Sequence, residues 1–245
     1  DQLKSEINRI STDTEFNTKK LLDGSIANSA KIDPEANAAK LVGIEVMNDN
    51  LVAGDYTVTI TSATTKAVLD TDNGTGASSA TLTGDVAMGV YTLELKANGD
   101  NFDLILTNAD GEVVGTVYNE EIVETVEIGG ITFTWADSNA AAEGSVEVTV
   151  SADFNVSVAD AEGKEIGATT VADNSNGFVN VGGFKVSFDS NLTGGTTGVT
   201  VKTDAVSFQI GANEGQMTKL AISDMSSKAL GVDGIDLTTA DSASK

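Results

Sequence analysis

Phe102-Asp103-Leu104-Ile105-Leu106-Thr107-Asn108-Ala109-Asp110-Gly111 returns 52 residues later as Phe154-Asn155-Val156-Ser157-Val158-Ala159-Asp160-Ala161-Glu162-Gly163. Each copy alternates apolar and polar residues, the pattern of a strand with one face buried, and then reaches a Gly-ended turn. The correspondence continues past the turn. Gly115 matches Gly167 at the same spacing, and Asp137-Ser138-Asn139 matches Asp189-Ser190-Asn191. Gly129-Gly130 matches Gly182-Gly183 with one residue inserted. A Gly then precedes an alternating strand in both copies, Val146 to Val150 and Val199 to Val201. β-Hairpins converge on Phe-x-Leu-x-Leu patterns, but aligned glycines and a repeated Asp-Ser-Asn favour duplication. Two units, 102–151 and 154–203, are therefore expected to share one strand order.

The period of two extends outward from this pair. Tyr56, Val58 and Ile60 alternate with threonines, and Tyr91, Leu93 and Leu95 with Thr92 and Glu94. Ile131, Phe133 and Trp135 do the same, as do Phe184, Val186 and Phe188. Many short strands separated by Gly, Asn and Asp turns predict antiparallel β-structure over residues 43–204.

Composition removes most chemistry. The chain has 245 residues, no cysteine and no histidine. Disulfides, thiol chemistry and Ser/His/Asp or Cys/His nucleophile systems are thereby excluded. Carboxylate pairs suffice for a glycosidase, but with 37 acidic residues such pairs are inevitable and mark nothing. Asp70-Thr71-Asp72-Asn73-Gly74 is close to a calcium loop, yet its Gly comes one residue early and no Glu closes the frame at Thr81. The paired glycines lack the strand-loop-helix setting of a phosphate cradle. Asn73-Gly74-Thr75, Asn155-Val156-Ser157 and Asn191-Leu192-Thr193 fit the N-glycosylation acceptor pattern by chance. No enzyme, metal site or cofactor is expected. The net charge of −23 argues for a self-repelling surface and against a nucleic-acid partner, and Lys19-Lys20 is too short to be a patch. No run of about 18 apolar residues occurs, so no membrane-spanning helix is expected. No signal peptide is visible, and Asp1 is not an initiator Met, which reads as an excised fragment.

The two ends differ from the middle. Leu3, Ile7 and Ile10 give residues 2–11 a helical stripe. Phe16 to Leu22 read as extended or as a tight loop with a strand, and Asp23-Gly24 as a turn. Residues 25–40, with Pro34, the one proline, read as a crossover. Val206, Phe208 and Ile210 form a last alternating strand, and Lys219 to Ile222 another short one. Ser223-Asp224 read as an N-cap for a short helix, Met225 to Leu230, closed by Gly231. Ile235 to Asp241 look like the approach to a further helix.

Three of these stretches, taken together, resemble flagellin, the subunit of the bacterial flagellar filament. They are Thr14-Glu15-Phe16-Asn17-Thr18-Lys19-Lys20-Leu21-Leu22-Asp23-Gly24, Phe208-Gln209-Ile210-Gly211-Ala212-Asn213-Glu214-Gly215-Gln216 and Ile222-Ser223-Asp224-Met225-Ser226-Ser227-Lys228-Ala229-Leu230-Gly231-Val232. The resemblance covers roughly residues 1–26 and 205–245. It departs at Thr18, where the family usually has Gly. It implies an extracellular structural subunit whose terminal helices line the filament and whose variable middle projects outward. It further implies an α+β chain: a small discontinuous α/β unit, 1–42 plus 205–245, with the β region 43–204 inserted into it. Leu3, Ile7, Ile10, Phe16, Leu21, Leu22, Phe208, Ile210, Leu220, Met225 and Leu230 would pack that unit. Implied partners are further copies of the full-length subunit, antibodies and a host Toll-like receptor. Receptor signalling is expected to be weak, because the Arg-Glu-Leu-rich helix associated with it would lie upstream of Asp1. Surface Ser/Thr modification also belongs to the family, and loops such as 193–200 could accept it. The rival reading is a cell-surface adhesin built of repeated β-sandwiches. An adhesin needs no relation between the two ends of the chain, whereas a flagellin brings them together.

Overall fold

The computed structural model describes residues 2–48, 51–122, 124–137, 141–203, 206–209, 217–220, 222 and 224–232. In chain order, helix α1 (Gln2–Asp13) leads to β1 (Glu15–Phe16) and β2 (Lys19–Lys20). Next come β3 (Asn28–Asn37), β4 (Gly43–Val46), β5 (Gly54–Asn73), β6 (Ser79–Leu82), β7 (Gly89–Asn98) and β8 (Asn101–Asn108). β9 (Val113–Glu120), β10 (Thr125–Ile128), β11 (Ile131–Thr134) and β12 (Gly144–Asp160) follow. β13 (Glu165–Asn174), β14 (Phe178–Val181), β15 (Phe184–Ser187), β16 (Gly195–Thr203), β17 (Val206–Gln209) and β18 (Met217–Leu220) complete the series. The chain divides into two units: Asp1–Ala30 with Asn48–Gly54 and Val201–Lys245, and Lys31–Met47 with Asp55–Thr200.

This architecture corrects the α+β expectation and its α/β inner unit. Among the described residues strand makes up 59% and helix 6%, and the strands pair antiparallel, so the described structure is nearly all antiparallel β. The stretch Met225 to Leu230 is a turn, not a helix. Only about six residues separate the Asp224 carboxylate, which accepts from Ser226 N–H at 2.8 Å, from Gly231 in the left-handed region (φ 70°). That is too short for helix propagation to repay its nucleation. Ile235 to Asp241 lie outside the described residues. The expected crossover is strand β3, which tolerates Pro34 because it ends its sheet.

The large sheet of the second unit runs β3-β16-β5-β12-β7-β8-β9, with β13 paired to β12 off that path. Two strands serve twice. The first half of β12, Ser145 to Asp153, pairs with β5 from Asn73 to Thr64, and its second half, Asn155 to Asp160, with β5 from Thr61 to Tyr56. The order β12-β7-β8-β9 therefore recurs as β16-β5-β12-β13, with different halves of β12 in the two settings. Each module adds a three-stranded sheet, β10-β11-β6 or β14-β15-β4.

The repeated turns have the same geometry. The Asn108 side chain accepts from the N–H groups of Asp110 and Glu112, and the Asp160 carboxylate accepts from those of Glu162 and Lys164. Gly111 and Gly163 both sit in the left-handed region, at φ 79° and 78°. Such a position favours Gly, as in a three-residue hairpin loop.

The inward residues of each module form a core. Leu93, Leu95, Leu104, Leu106, Phe133 and Val146 are fully buried, and the buried Trp135 donates its Nε1–H to the Thr75 carbonyl at 2.9 Å. In the other module Tyr56 meets Phe184 edge-on at 5.4 Å, and Phe154 meets Phe188 at 4.8 Å. Edge-to-face pairs of this kind add to the burial energy.

Candidate functional site

The segments that carry the flagellin resemblance lie in the first unit. α1 is held on its polar side by Arg9, which pairs with Glu6 at 2.6 Å and Asp13 at 3.4 Å. The Arg9 contact lowers the Glu6 pKa, and Glu6 in turn raises that of Arg9. Thr14 N–H, bonded to Ile10 O at 3.1 Å, ends the helix.

β1 and β2 then form a minimal hairpin. Glu15 lies opposite Lys20 and Phe16 opposite Lys19, with a 2.9 Å Glu15–Lys20 ion pair across it. That ion pair, through its hydrogen bond, raises the Lys20 pKa. The loop is Asn17-Thr18, both in the left-handed region at φ 50° and 65°. Two positive φ values define the turn that favours Asn-Gly. Thr18 is therefore strained, at the one residue where the resemblance leads one to expect Gly.

Polar groups join the two ends of the chain. Ser11 Oγ donates to the Leu22 carbonyl at 3.0 Å, and the same carbonyl accepts from Met225 N–H at 2.9 Å. Ser227 N–H donates to Asn8 Oδ1 at 2.9 Å. A Cβ on Gly24 would sit 3.1 Å from Asp224 Cβ, so the loop after β2 lies against the C-terminal stretch. Ser11 and Ser227 are buried. The joining groups are backbone N–H and C=O and the side chains of Asn8 and Ser11, so no apolar pattern marks them.

The eleven apolar residues expected to pack this unit are placed variously. Ile7, Leu21 and Leu22 are half-buried. Leu3 is 80% exposed and Phe16 58%, while Ile10, Leu220, Met225 and Leu230 are exposed by lesser amounts. Phe208 lies on β17, opposite Thr218. Ile210 lies outside the described residues. The unit thus offers several of its apolar side chains to solvent.

In the second unit a groove of about 560 Å³ is lined by Thr65, Lys66, Thr81, Thr83, Asp85 and Asn191 among others. Lys66 pairs there with Asp153 at 2.7 Å and Asp173 at 2.5 Å. Its charge is answered within the protein. Among the described residues no group of three Asp or Glu side chains is placed to hold a metal ion.

No protein-family model matches the chain, and no curated protein does. Among solved structures, FlgL of Xanthomonas campestris is similar at 14% identity with a TM-score of 0.26, over 65% of this chain and 55% of that one. This chain thus covers little more than half the length of that protein, and a likeness so distant carries no argument about fold or role.

Proposed function

We propose that this chain is the core of a flagellin: a structural subunit of the extracellular bacterial flagellar filament, with the duplicated β modules as its surface-exposed region. The observation that carries this reading is the meeting of the two terminal segments through Ser227 N–H to Asn8 and Met225 N–H to Leu22. Those segments hold the words that resemble flagellin, and a string of adhesin repeats gives no reason for them to touch. Exposed Leu3, Phe16 and Leu230 fit a surface that further helices or neighbouring subunits cover. Among the described residues the one helix has 12 residues, too short for the apolar heptads of a helical assembly, and the chain carries a net charge of −23. It is therefore a non-polymerising core. Two measurements test the reading. The natural full-length polypeptide should assemble into filaments under the electron microscope, decorated along their outside by antibodies raised against residues 55–200. The 245-residue chain should sediment as a monomer at about physiological salt. Filaments formed by this chain alone, or a full-length protein that never polymerises, would refute it.

A further inference from the structure

Three Asn-Gly steps occur in the chain: Asn73-Gly74, Asn98-Gly99 and Asn176-Gly177. Such a step is open to self-modification, because glycine has no Cβ to keep its nitrogen from the preceding side chain. The attack needs a glycine N–H outside any hydrogen-bond ladder, a backbone free to turn and a carboxamide free to swing. The fold treats the three steps differently. Asn73 pairs with Ser145, and the Asp72 carboxylate ties the loop beyond it, accepting from Gly76 N–H and from both the N–H and the hydroxyl of Thr75. Trp135 holds the Thr75 carbonyl as well. Around Asn176, the Asn174 side chain accepts from Asn176 N–H and donates to the Phe178 carbonyl. The Gly177 carbonyl accepts from Phe188 N–H at 2.8 Å, and a Cβ on Gly177 would lie 3.4 Å from Phe188 O. Asn98 differs. It is exposed and stands opposite Asn101 at the tip of the β7–β8 hairpin. Gly99 and Asp100 make the two-residue loop, with Gly99 in the left-handed region at φ 68°. In such a loop the N–H of the first residue stays outside the ladder. A Cβ on Gly99 would meet nothing within 4 Å. The restraint at this step is a side-chain contact: Asn98 Nδ2 donates to Asp103 Oδ1 at 2.9 Å.

We propose that Asn98-Gly99 is the step at which this protein deamidates, and that Asp103 guards it. Gly99 N bonds to Asn98 Cγ and loses its proton, the Cγ–Nδ2 bond breaks, and Nδ2 takes up a proton and leaves as ammonia. Water then opens the cyclic imide at either carbonyl, leaving aspartate or β-linked isoaspartate at position 98. One water is consumed and one ammonia released, with no change of oxidation state. The Asp103 hydrogen bond must break before the carboxamide is free to rotate and lose its nitrogen. Conversion has a structural consequence. A carboxylate at position 98 brings Asp103 a like charge in place of a donor, and like charges at this distance repel. The same Asp103 oxygen accepts from Asn119 N–H at 2.9 Å, so the bulge that it pins in β9 loosens. The inference does not rest on the proposed filament role.

Cleavage after lysine puts the three steps on separate peptides, 67–96, 97–164 and 165–185, so mass spectrometry follows each of them in one sample. The folded chain is incubated in mildly alkaline buffer below its melting range. Conversion at position 98 should run ahead of conversion at 73 and 176. Asp103→Ala should speed it about three- to tenfold, the effect of losing one ordinary hydrogen bond, and leave 73 and 176 unchanged. Asp103→Asn, which keeps an acceptor, should stay close to the native rate. Circular dichroism and Trp135 fluorescence establish that both variants fold. In the native chain, hydrogen exchange at Asn119 N–H should quicken as position 98 converts. Faster conversion at 73 or 176, a native rate in Asp103→Ala, or Asp103→Asn as fast as Asp103→Ala would overturn the proposal.

Discussion

Replacing Gly167 by Ala tests how the modules are packed. Gly167 lies on β13 opposite Val158, and Gly115 on β9 opposite Leu106. Each faces the two-glycine turn of a neighbouring hairpin. A Cβ on Gly167 would stand 2.5 Å from Gly182 N and 2.7 Å from Gly182 Cα, both backbone atoms. On Gly115 it would meet Ile128 Cγ1 at 2.8 Å and Gly129 N at 3.0 Å, the first being a side-chain atom that can rotate away. Both two-glycine turns are left-handed, at φ 58° and 85° and at φ 60° and 80°, so the difference rests on the nearest atom, backbone for Gly167 and side chain for Gly115. Overpacking costs about 1–3 kcal/mol, and the stiffer unfolded chain returns about 0.4–1. Gly167→Ala should therefore lose about 2 kcal/mol and Gly115→Ala about 1. At about 2–4 °C per kcal/mol for a domain of this size, the shifts are about 4–8 °C and 2–4 °C. β5 and β12 run through both modules, so the modules should unfold together. Trp135, the one tryptophan, lies in the module that lacks Gly167, and its fluorescence should nevertheless report the full Gly167→Ala shift. Thermal melts followed by fluorescence and circular dichroism decide this. A Gly115→Ala effect as large as that of Gly167→Ala would show that the backbone contact yields. A Trp135 midpoint unmoved by Gly167→Ala would show that the shared strands do not couple the modules.

Thr18→Gly should stabilise the first unit by about 0.5–1 kcal/mol, since it removes a β-branched residue from the left-handed region at the cost of unfolded-chain entropy. Hydrogen exchange at Leu21 N–H, bonded to Thr14 O, should slow about two- to fivefold, and faster exchange would contradict the strain. On acidification, Asp153 and Asp103 should contribute a loss of stability. The Lys66 hydrogen bond, with the Asp173 N–H, lowers the Asp153 pKa. The Asn98 side chain, with the Asn119 N–H, lowers that of Asp103. A depressed folded pKa gives stability that is present above the unfolded value of about 3.9 and is lost as pH falls through the folded one. Lys66 is shifted upward, first by Asp153 and then by Asp173, so its contribution holds below about pH 10 and is lost above its folded value. Urea midpoints measured from pH 7 to 2 should fall below about pH 4, and less steeply in Asp153→Asn. An unchanged slope in that variant would remove the Lys66 contact from the account.

The alternation of Tyr91, Leu93 and Leu95 was legible because one face of that strand is fully buried and the other wet. The length of β5 was not. Tyr56, Val58 and Ile60 point inward at even positions, but Ala67 and Leu69 pack on the core at odd ones. The bulge at left-handed Ser62 (φ 55°) slips the phase by one, so a single 20-residue strand reads as two patterns with a polar gap. β12 keeps its phase from Val146 to Val158, and the small Ala152 at its centre hides the continuity. In the first unit the difficulty is different. Phe16, Leu220 and Leu230 are apolar, and residue type alone does not say whether such a side chain is covered. The contacts that join the ends run through Asn8, Ser11 and Ser227, which follow no period at all.

The two modules share one strand order but differ in where a bulge sits. In one, the Asp103 carboxylate accepts from the N–H of left-handed Asn119 at 2.9 Å, pinning a bulge in β9 against β8. In the other, the Asp153 carboxylate accepts from the N–H of left-handed Asp173 at 2.6 Å, pinning a bulge in β13 against β12. The device is the same, but the aligned repeat puts Asn155, not Asp153, at the place of Asp103. The second bulge therefore lies two residues from the place equivalent to the first, in the middle of β12 and level with the bulge at Ser62 on the other side of that strand. Bulges on both neighbours of one strand let the sheet bend there. The displacement brings two carboxylates together at the bend, and Lys66 lies between them. The ion cluster around Lys66 is thus explained by two bulges meeting on one shared strand.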